Sequence, residues 1–431
     1  MLVTPTIFKT NRLLLRLLLR YQHKLKKPIE EKPSSPISQE VKNYLESSED
    51  YKEILDKIPK HLLKKYKTPE TMYLINKKTA TQIVSNIKNK IEKNSPIVEV
   101  NPGFGYLTKE LLNAHNNNLF LYEVSNHFTK GLEVTNYPDS VSLKLDDFFG
   151  MWKLAFQDKM DDGNRISDLL GDLATDDKDR KLSIVGAMPS LSFVKHLINT
   201  IVFHNTTSQL GKPDLFIVMP GQHYEFLTDA SIQLSKHKSV PSLFQLLFDF
   251  KVLDKVPKVH FLPWTQGTAT KKSNINEHCM YLVNIKLKAT LPCPPRHLPL
   301  LWYFFKTHTF SNSTRVIPKL EQWIPGCGVR LITGQEPPAD LTPAPAPLPH
   351  MNIFTQFSDL TLQQKLTVFR RFVSWPEFEQ CGFRSAMENS LPKFATQLDD
   401  ARARGQHVIR RSHIDITLVQ RAEIIVMVAL Q

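Results

Sequence analysis

The sequence has few cysteines, no long apolar run and no motif for nucleotide hydrolysis. Its 431 residues include four cysteines, none in a CxxC spacing, which argues against a disulfide framework and a zinc ribbon. Four His and Cys residues lie near one another in sequence without the short spacing of a preformed zinc site: His278, Cys279, Cys293 and His297. No run approaches the roughly 18 apolar residues of a membrane-spanning helix. The patterns GxxxxGK with Ser or Thr and GxSxG are also missing, so neither an ATPase nor a serine hydrolase is supported.

The composition indicates a basic globular protein of two to three domains. Hydrophobic residues make up 41% of the chain, which is enough for a packed core. The chain has 55 Lys and Arg against 42 Asp and Glu, so its formal net charge is +13. Nucleic acid is the first partner to consider for such a charge.

More than half of that charge lies in the first 29 residues. This segment holds seven basic residues and no acid, and Arg12, Arg16 and Arg20 recur every four residues on one helical face. An acid-free, Arg-rich amphipathic start is typical of a mitochondrial transit peptide. A nucleic-acid-binding arm or a membrane-surface helix would give a similar pattern. Residues 30–50 are rich in Pro, Ser and Glu and predict a linker.

A glycine-containing loop between a predicted strand and a predicted helix is the most informative local feature. The apolar run PIVEV at 96–100 precedes NPGFG at 101–105, and helical periodicity follows. Gly103 and Gly105 lack a Cβ, so a ligand can approach the start of the helix closely. A tight turn in any α/β protein would look the same. The next strand ends in Glu123, about where nucleotide-binding folds place an acid for ribose hydroxyls.

The remaining pattern predicts an α/β fold with a mostly parallel sheet and helices on both faces. Three further apolar runs are typical of buried strands: 141–145, 182–187 and 214–220. Amphipathic helices are predicted at Tyr51–Lys67 and at Asn76–Lys93. Residues 158–181 are acidic and poor in bulky apolar side chains, which predicts a mobile surface loop.

Four motifs together carry a family resemblance over about residues 60–325. EVNPGFGYLT, LYEVSNHF, LKLDDFF and IVGAMPS, in this order and spacing, resemble the rRNA adenine dimethyltransferase family. The Asn-Pro-Gly, Asp-Phe-Phe and Pro-Ser elements, with VHFLPW at 259–264, are more closely similar to the second, transcription-specialised branch of the mitochondrial transcription factors B. The resemblance implies a Rossmann-like S-adenosylmethionine-dependent methyltransferase fold with a small C-terminal helical domain.

Composition and resemblance together divide the chain into five parts. They are a transit peptide at 1–29, a linker at 30–50, a methyltransferase-like domain at 51–290 with an acidic loop insertion at 158–181, a helical domain at 291–385 with a Pro-rich spacer at 335–349, and an unassigned tail at 386–431. Helical patterns at 297–325 and 351–374 support the fourth part.

The resemblance also implies a pocket for S-adenosyl-L-methionine. Its lining would comprise Leu74, Glu99, Gly103, Gly105, Glu123 and Asp147. Glu99 and the glycines would surround the methionine part, Glu123 would accept hydrogen bonds from the ribose, and Asp147 would hold the adenine amine. Asn101 stands where the family has glycine. Its side chain narrows the loop, which is expected to weaken cofactor binding.

The tetrapeptide Ala187, Met188, Pro189 and Ser190 stands where the family has Asn-Leu-Pro followed by Tyr or Phe. In active members the Asn accepts hydrogen bonds from the target amine and the aromatic ring stacks on the flipped base. Ala187 offers no side-chain acceptor and Ser190 no ring. The resemblance therefore predicts that dimethylation is weak or lost. Alternatively, backbone carbonyls and a nearby aromatic residue such as Phe193 could substitute.

A basic stretch at 251–296 predicts single-strand binding. It holds eight cations against Asp254 and Glu277: Lys251, Lys255, Lys258, Lys271, Lys272, Lys286, Lys288 and Arg296. Phe261, Trp264 and Tyr281 are interleaved with them, as in proteins that bind phosphates and stack bases. An antiparallel strand pair with core aromatics would give the same pattern.

Two functions fit these features. The first is a transcription initiation factor of the mitochondrial matrix (nucleoid) that joins the mitochondrial RNA polymerase and stabilises the single-stranded promoter DNA. The second is an S-adenosylmethionine-dependent rRNA adenine dimethyltransferase acting on the mitochondrial small-subunit rRNA.

Overall fold

The computed structural model describes most of the chain between residues 37 and 391. The described residues are 37–133, 135, 137–177, 179–204, 209–228, 239–265, 279–308, 313–333, 348 and 350–391. The transit peptide predicted at 1–29 and nearly all of the spacer at 335–349 lie outside them, as does the tail beyond 391. The chain divides into two compact units, Met1–Lys65 and Tyr66–Gln431.

The first unit contains one α-helix and three short 3₁₀ helices. Helix α1 spans Gln39–Glu46 and buries Val41 and Leu45, whose spacing of four places them on one face. The 3₁₀ helices are Glu49–Tyr51, Leu55–Lys57 and Lys60–Leu63. The backbone amide of Ser38 donates to the Leu63 carbonyl at 3.0 Å.

Two predictions for this unit are wrong. The linker predicted at 30–50 contains α1 in its described half, because the Val41 and Leu45 pair supplies a buried stripe within a polar composition. The continuous helix predicted at Tyr51–Lys67 is replaced by the short 3₁₀ turns. Pro59 lies in the middle of that segment and cannot donate a helical hydrogen bond.

The second unit is built on a seven-stranded sheet. Its strands are β2 (Ile97–Val100), β3 (Leu119–Tyr122), β4 (Val141–Lys144), β5 (Lys181–Ala187), β6 (Lys212–Pro220), β7 (Phe248–Pro257) and β9 (Cys279–Leu287). They lie in the order β4-β3-β2-β5-β6-β9-β7. The first five are mutually parallel, whereas β9 runs antiparallel to both β6 and β7. A separate antiparallel pair joins β1 (Tyr73–Leu74) to β8 (Phe261–Leu262).

Eight helices surround this sheet in the described residues. They are α2 (Lys77–Ile87), α3 (Tyr106–Ala114), α4 (Asn126–Glu133), α5 (Met151–Asp161), α6 (Arg165–Leu170), α7 (Ser192–His204), α8 (Gly221–Thr228) and α9 (Ser239–Leu247). Residues from one face of the sheet, such as Ile97 and Phe216, pack with α2 and α3. Those of the other face, such as Val98 and Ile217, pack with α7. The α/β fold and the helices on both faces are therefore as predicted. Successive side chains of a buried strand point to opposite faces of the sheet, so each strand contributes to both hydrophobic cores.

The prediction of a surface loop at 158–181 is wrong. Helix α5 continues to Asp161, α6 follows, and a 3₁₀ helix spans Gly171–Leu173. Leu169, Leu170 and Leu173 are buried against the main core. Three leucines at helical spacing are enough to anchor this segment although its other residues are acidic.

A set of helices follows the sheet. They are α10 (Leu298–His308), α11 (Val316–Glu321), α12 (Cys327–Thr333), α13 (Leu362–Ser374) and α14 (Phe383–Ser390). Their aromatic residues pack together, as in the contact of Phe304 with Phe369 at 5.4 Å between ring centroids. Helix α14 crosses the boundary predicted at 385. No helix in the described part of the chain is long and apolar enough to cross a membrane.

Candidate functional site

The loop between β2 and α3 adopts a left-handed backbone at alternate residues. Asn101, Gly103 and Gly105 have φ angles of 56°, 57° and 71°. Glycine enters this region freely and asparagine does so more readily than most residues, so Asn101 replaces a glycine without changing the turn. A Cβ on Gly103 would lie 2.8 Å from Cδ1 of Tyr73. The loop is therefore tightly packed on its inner side.

Glu99 is a buried acid without a partner. It is the third residue of β2 and only 1% exposed, and neither carboxylate oxygen has a hydrogen-bond partner in the described structure. Burial raises its pKa from 4.5 to about 8, and the charge of Glu123 adds to the rise. Thr108 opposes the rise from nearby, but its groups do not meet hydrogen-bond geometry. A buried polar group with no partner is a position at which a ligand atom can bind.

Glu123 follows β3 and accepts three hydrogen bonds from within the protein. Its carboxylate accepts from the amides of Gly103 at 3.0 Å and Ser125 at 2.8 Å, and from the Tyr73 hydroxyl at 3.1 Å. The side chain is fully buried, and burial raises its pKa against the effect of these hydrogen bonds. The acid predicted to meet a ribose therefore already has three protein donors.

Asp147 follows β4, the strand next to β3 in the sheet. One oxygen accepts from the amide of Gly150 at 2.9 Å, and the other lies 3.7 Å from Nζ of Lys153. Its charge contributes to the raised pKa of Tyr73, after burial and Glu123, so Asp147 lies near the same tyrosine. It remains partly exposed.

The structure brings most of the predicted cofactor residues together around Tyr73. Glu99 and the glycine loop lie on β2 and its extension, with Glu123 beside them. Leu74 pairs with Phe261 in the small sheet and belongs to the core on the α2 side. Tyr73 itself was not singled out from the sequence. Its ring packs on Phe128, with 4.7 Å between centroids, and the only local signal is its position next to Leu74.

The degenerate tetrapeptide begins at Ala187, the last residue of β5. Ala187, Met188 and Pro189 are buried and Ser190 is exposed. The Met188 amide donates to the Val218 carbonyl at 2.8 Å, which fixes the end of β5 against β6. The tetrapeptide thus presents only a serine side chain to solvent.

Aromatic rings near this tetrapeptide are mostly enclosed. Phe193 is 1% exposed and its ring centroid lies 5.1 Å from that of Phe149 and 5.9 Å from that of Phe148. It cannot stack on a base without leaving the core. Phe149 is only partly buried and would lie 3.5 Å from a Cβ on Gly186. It is the better placed ring, and the sequence did not identify it.

The basic stretch at 251–296 is largely the antiparallel strand pair β7 and β9. Phe261 and Tyr281 are buried, and the Trp264 indole donates to the Val259 carbonyl at 3.3 Å. Phe261 and Tyr281 are therefore core residues, as the alternative held, and Trp264 is partly buried. Lys251 and Lys255 are exposed on the edge strand β7. Lys271 and Lys272 lie outside the described residues.

Two other lysines of this stretch have protein partners. Lys286 pairs with Asp214, and Lys288 donates to the Gln245 carbonyl at 2.7 Å. The described part of the chain holds no cluster of three or more His, Cys, Asp or Glu side chains that could bind a metal ion.

The sheet order, the left-handed loop and the acids at three adjacent strand ends define a Rossmann-like S-adenosylmethionine-dependent methyltransferase fold. A family model described as Ribosomal RNA adenine dimethylase matches residues 63–311, more than half of the chain. The chain therefore belongs to the ribosomal RNA adenine dimethylase family.

Relatives and solved structures are similar to the chain to different degrees. Dimethyladenosine transferase 2, mitochondrial, of Drosophila melanogaster is 34% identical over 384 residues, covering 79% of this chain and 84% of the relative. The structure of the 23S rRNA methyltransferase ErmE is 14% identical, covers 70% of this chain and 99% of its own, and has a TM-score of 0.43. A dimethyladenosine transferase structure from Plasmodium falciparum is 14% identical, covers 69% and 96%, and has a TM-score of 0.39. The strand order and the family match carry the fold assignment.

S-adenosyl-L-methionine is the cofactor of this family. The residues present fit it in chemical type: a left-handed loop with glycines at 103 and 105, an unpartnered buried carboxyl at Glu99, and carboxylates at Glu123 and Asp147. One feature restricts the binding of a ribose: the Tyr73 hydroxyl already donates a hydrogen bond to Oε1 of Glu123.

Proposed function

We propose that this protein is a mitochondrial transcription initiation factor. It works with the mitochondrial RNA polymerase to melt promoters and stabilise the open single strand, while its methyltransferase activity is weak or lost. The observation that carries the proposal is the tetrapeptide at the end of β5, where Ala187 and Ser190 provide neither a side-chain amide acceptor nor a ring.

The missing groups matter because the exocyclic amine of adenine is a poor nucleophile. Its lone pair is delocalised into the ring, so acceptors for its hydrogens and a stacking ring must hold the flipped base. Ala187 supplies only backbone, and the buried Phe193 ring offers no free face. The base would be held weakly at the point where methyl transfer requires a fixed geometry.

In the same proposal the cofactor pocket is retained but weakened. Glu99 and the loop with Gly103 and Gly105 would hold the methionine part, and Asp147 the adenine. The cofactor, when bound, supplies a methyl group on a cationic sulfur. A ribose hydroxyl would compete with the Tyr73 hydroxyl for Oε1 of Glu123, because that oxygen already accepts two hydrogen bonds.

Location and partners complete the proposal. Residues 1–29 direct the chain to the mitochondrial matrix, where the polymerase and promoter DNA of the nucleoid are its partners. The Drosophila relative carries a mitochondrial name, and the exposed Lys251 and Lys255 supply cations for a strand.

The second candidate is the rRNA adenine dimethyltransferase of the mitochondrial small ribosomal subunit. The partly exposed Phe149 ring beside β5 favours it, since this ring could stack on a base in place of the missing aromatic residue. Family membership favours it too.

Run-off transcription with the mitochondrial RNA polymerase separates the two candidates. We expect the protein to stimulate transcription strongly on duplex promoters and weakly on pre-melted ones, because melting is the step it assists. An rRNA methylation assay should run in parallel. Stimulation no better than buffer on both templates, or rescue of rRNA methylation alone, would contradict the proposal.

A charge-removing variant at Asp147 tests whether transcription depends on the cofactor. Asp147→Asn keeps an acceptor for the Gly150 amide while it removes the carboxylate charge. We expect cofactor binding, measured by calorimetry, to be lost while promoter activity is retained. The exposed Asp139→Asn is the matched control. Loss of transcription in a folded Asp147→Asn protein would show that the cofactor is required.

A further inference from the structure

Two aromatic rings lie next to each other at the start of α3. Phe104 stands between Gly103 and Gly105 in the left-handed loop, and Tyr106 is the first residue of the helix. Their ring centroids are 6.1 Å apart, and the two ring planes differ by only 23°. Both side chains are partly exposed. The loop and the helix therefore present two near-parallel rings at the surface.

The Phe104 ring is held in place by other rings. Its centroid lies 4.9 Å from that of the buried Phe128 of α4, and the two planes meet at 71°. Phe128 packs in turn on Tyr73. Edge-to-face contacts of this kind are favourable and orient a ring. A flat ligand that stacks on Phe104 would therefore pay little for immobilising the side chain.

Lysine side chains lie beside the two rings. Nζ of Lys77, the first residue of α2, lies 5.6 Å from the centroid of the Tyr106 ring. Lys109 follows Tyr106 by three residues, which places it on the same face of α3, and it is exposed. Lys78, next to Lys77, is exposed too. The surface around the rings is therefore positively charged.

Acids are missing from the first turns of the three helices that begin around this loop, α2, α3 and α4. The positive end of a helix dipole favours acids at these positions, yet α2 begins with two lysines. The first acid of α3 is Glu110, beyond its first turn. The charge at this place therefore complements an anionic partner, and the rings require that the partner also carry flat apolar groups.

We propose that Phe104 and Tyr106 form an aromatic platform on which bases of an unpaired nucleic-acid strand stack, while Lys77 and Lys109 bind the strand's phosphates. The inference rests on the proposed function, because it names the place where the open strand is held. An unpaired strand offers both of the required features, exposed base faces and a negatively charged backbone. A duplex matches less well, since its base faces are covered by neighbouring pairs.

The platform supplies what the basic stretch at 251–296 does not. That stretch has exposed lysines, but its Phe261 and Tyr281 rings are buried in the core. The fold instead brings rings of the β2–α3 loop together with lysines from two helices. The sequence does not show this combination, because Lys77 and Tyr106 are 29 residues apart along the chain and meet only in the folded state.

Binding of labelled single strands to the full chain tests the platform. Fluorescence anisotropy compares the wild type with Phe104→Leu and Tyr106→Leu, which keep an apolar side chain and remove the ring. We expect about tenfold weaker binding for each variant and an unchanged salt slope, because no phosphate contact is lost. Phe203→Leu is the matched control, since it removes a partly buried ring near the other end of the sheet, where α7 ends. It should bind within about twofold of the wild type.

Strands with abasic positions test the same contact from the side of the ligand. The wild type should bind an abasic strand about tenfold more weakly than an intact one. Phe104→Leu and Tyr106→Leu should discriminate less between the two strands, because the stacking contact is already missing. Thermal unfolding of each variant confirms that the protein is folded.

A lysine variant separates the phosphate contact from the stacking contact. Lys109→Met should weaken binding about threefold and make the salt slope shallower by about 0.7, as expected for one lost phosphate contact. Lys88→Met, which removes an exposed charge just beyond the far end of α2, is its control and should leave the slope unchanged. Single-stranded DNA and RNA arms identify which strand the wild type prefers, and the ring variants should weaken both, because both carry the same base faces.

Three results would overturn the inference. If the two ring variants bind intact strands as tightly as Phe203→Leu does, while the wild type binds strands and stimulates transcription, the platform is wrong and the proposed function stands. If the ring variants bind strands normally but lose stimulation of the polymerase, the rings contact a protein instead. If the wild type binds no single strand, both the platform and the proposed function are wrong.

Discussion

Glu99 is an acid that the surrounding residues keep neutral. Its carboxyl lies inside β2, between two apolar layers, without a hydrogen-bond partner in the described structure. The raised pKa means that the folded protein binds a proton more tightly than the unfolded chain does. The stability that this protonation provides is complete below the unfolded pKa of 4.5 and is lost as the pH rises through about 8.

Replacement of Glu99 by Gln should therefore stabilise the protein at alkaline pH. Gln is neutral at every pH, so it avoids ionisation inside the sheet. We expect Glu99→Gln to match the wild type near pH 4.5 and to exceed its free energy of unfolding by on the order of 5 kcal/mol above pH 8. Thermal unfolding across that range measures the difference. The exposed Glu133→Gln should show no such pH dependence.

The Tyr73 hydroxyl predicts a competition with ligand. Tyr73→Phe removes one of three donors to Glu123, which should lower the free energy of unfolding by about 1–2 kcal/mol. It also vacates the position that a ribose hydroxyl would take. We expect S-adenosylhomocysteine to raise the melting temperature of Tyr73→Phe more than that of the wild type. An equal rise in both proteins would refute the competition, and Tyr224→Phe serves as a control away from the loop.

For individual residues, the sequence indicated which positions belong to the candidate site but not which side chains contact one another. The acids and glycines could be located because they recur at fixed places along a strand-loop-helix unit. Tyr73 could not, since its hydroxyl meets an acid 50 residues away and nothing in the local spacing signals that contact.

Helix α13 connects the helical part of the chain to the segment after β9. It begins with a capping box in which Thr361 and Gln364 satisfy each other's backbone amides. Arg370 is buried, and its guanidinium donates through Nε at 2.8 Å and Nη2 at 2.6 Å to the Pro292 carbonyl. A planar group with several donors suits a single acceptor better than an ammonium would.

Arg370→Met should weaken this connection. It leaves the Pro292 carbonyl without its donor, and we expect a loss of about 2–4 kcal/mol in the free energy of unfolding. Urea denaturation measures the loss. Arg384→Met, which removes a surface ion pair with Glu379, should leave the midpoint almost unchanged. If the two variants unfold alike, the buried hydrogen bonds contribute little.

Helices and strands with a clear pattern of apolar residues could be predicted from the sequence, and those with a weak pattern could not. The five parallel strands fall within apolar runs that the sequence shows directly. The helices at 165–170 and 39–46 depend on two or three apolar residues in polar segments, so composition alone suggested loops. The segment at 51–67 has helical periodicity, but Pro59 and tertiary packing divide it into short turns.

For the molecule as a whole, charge and fold have separate roles. Residues 1–29 hold seven basic residues and no acid, so their removal lowers the formal charge from +13 to 13 − 7 = +6. What remains is a mildly basic chain whose cations lie at particular places. Binding of a strand should then depend on those places and not on the total charge.

Deletion of residues 1–29 tests this separation. We expect the shortened protein to bind single-stranded oligonucleotides within about threefold of the full chain at moderate salt, while a fluorescent fusion no longer enters mitochondria. Anisotropy and imaging provide the two measurements. A large loss of affinity with unchanged import would instead make the segment a nucleic-acid-binding arm.

The position of β9 has a consequence for how the chain is made. This strand lies between β6 and β7 although it follows both in sequence. Until residues 279–287 have been synthesised, β6 has an open outer edge, and within the described residues β7 has no other neighbour. A chain that stops before Cys279 therefore exposes two strand edges to other chains. Premature termination should therefore yield aggregates and no partly active protein. The sheet is complete only after β9, the strand between β6 and β7, has been synthesised, and β9 is the last of the seven strands in the sequence.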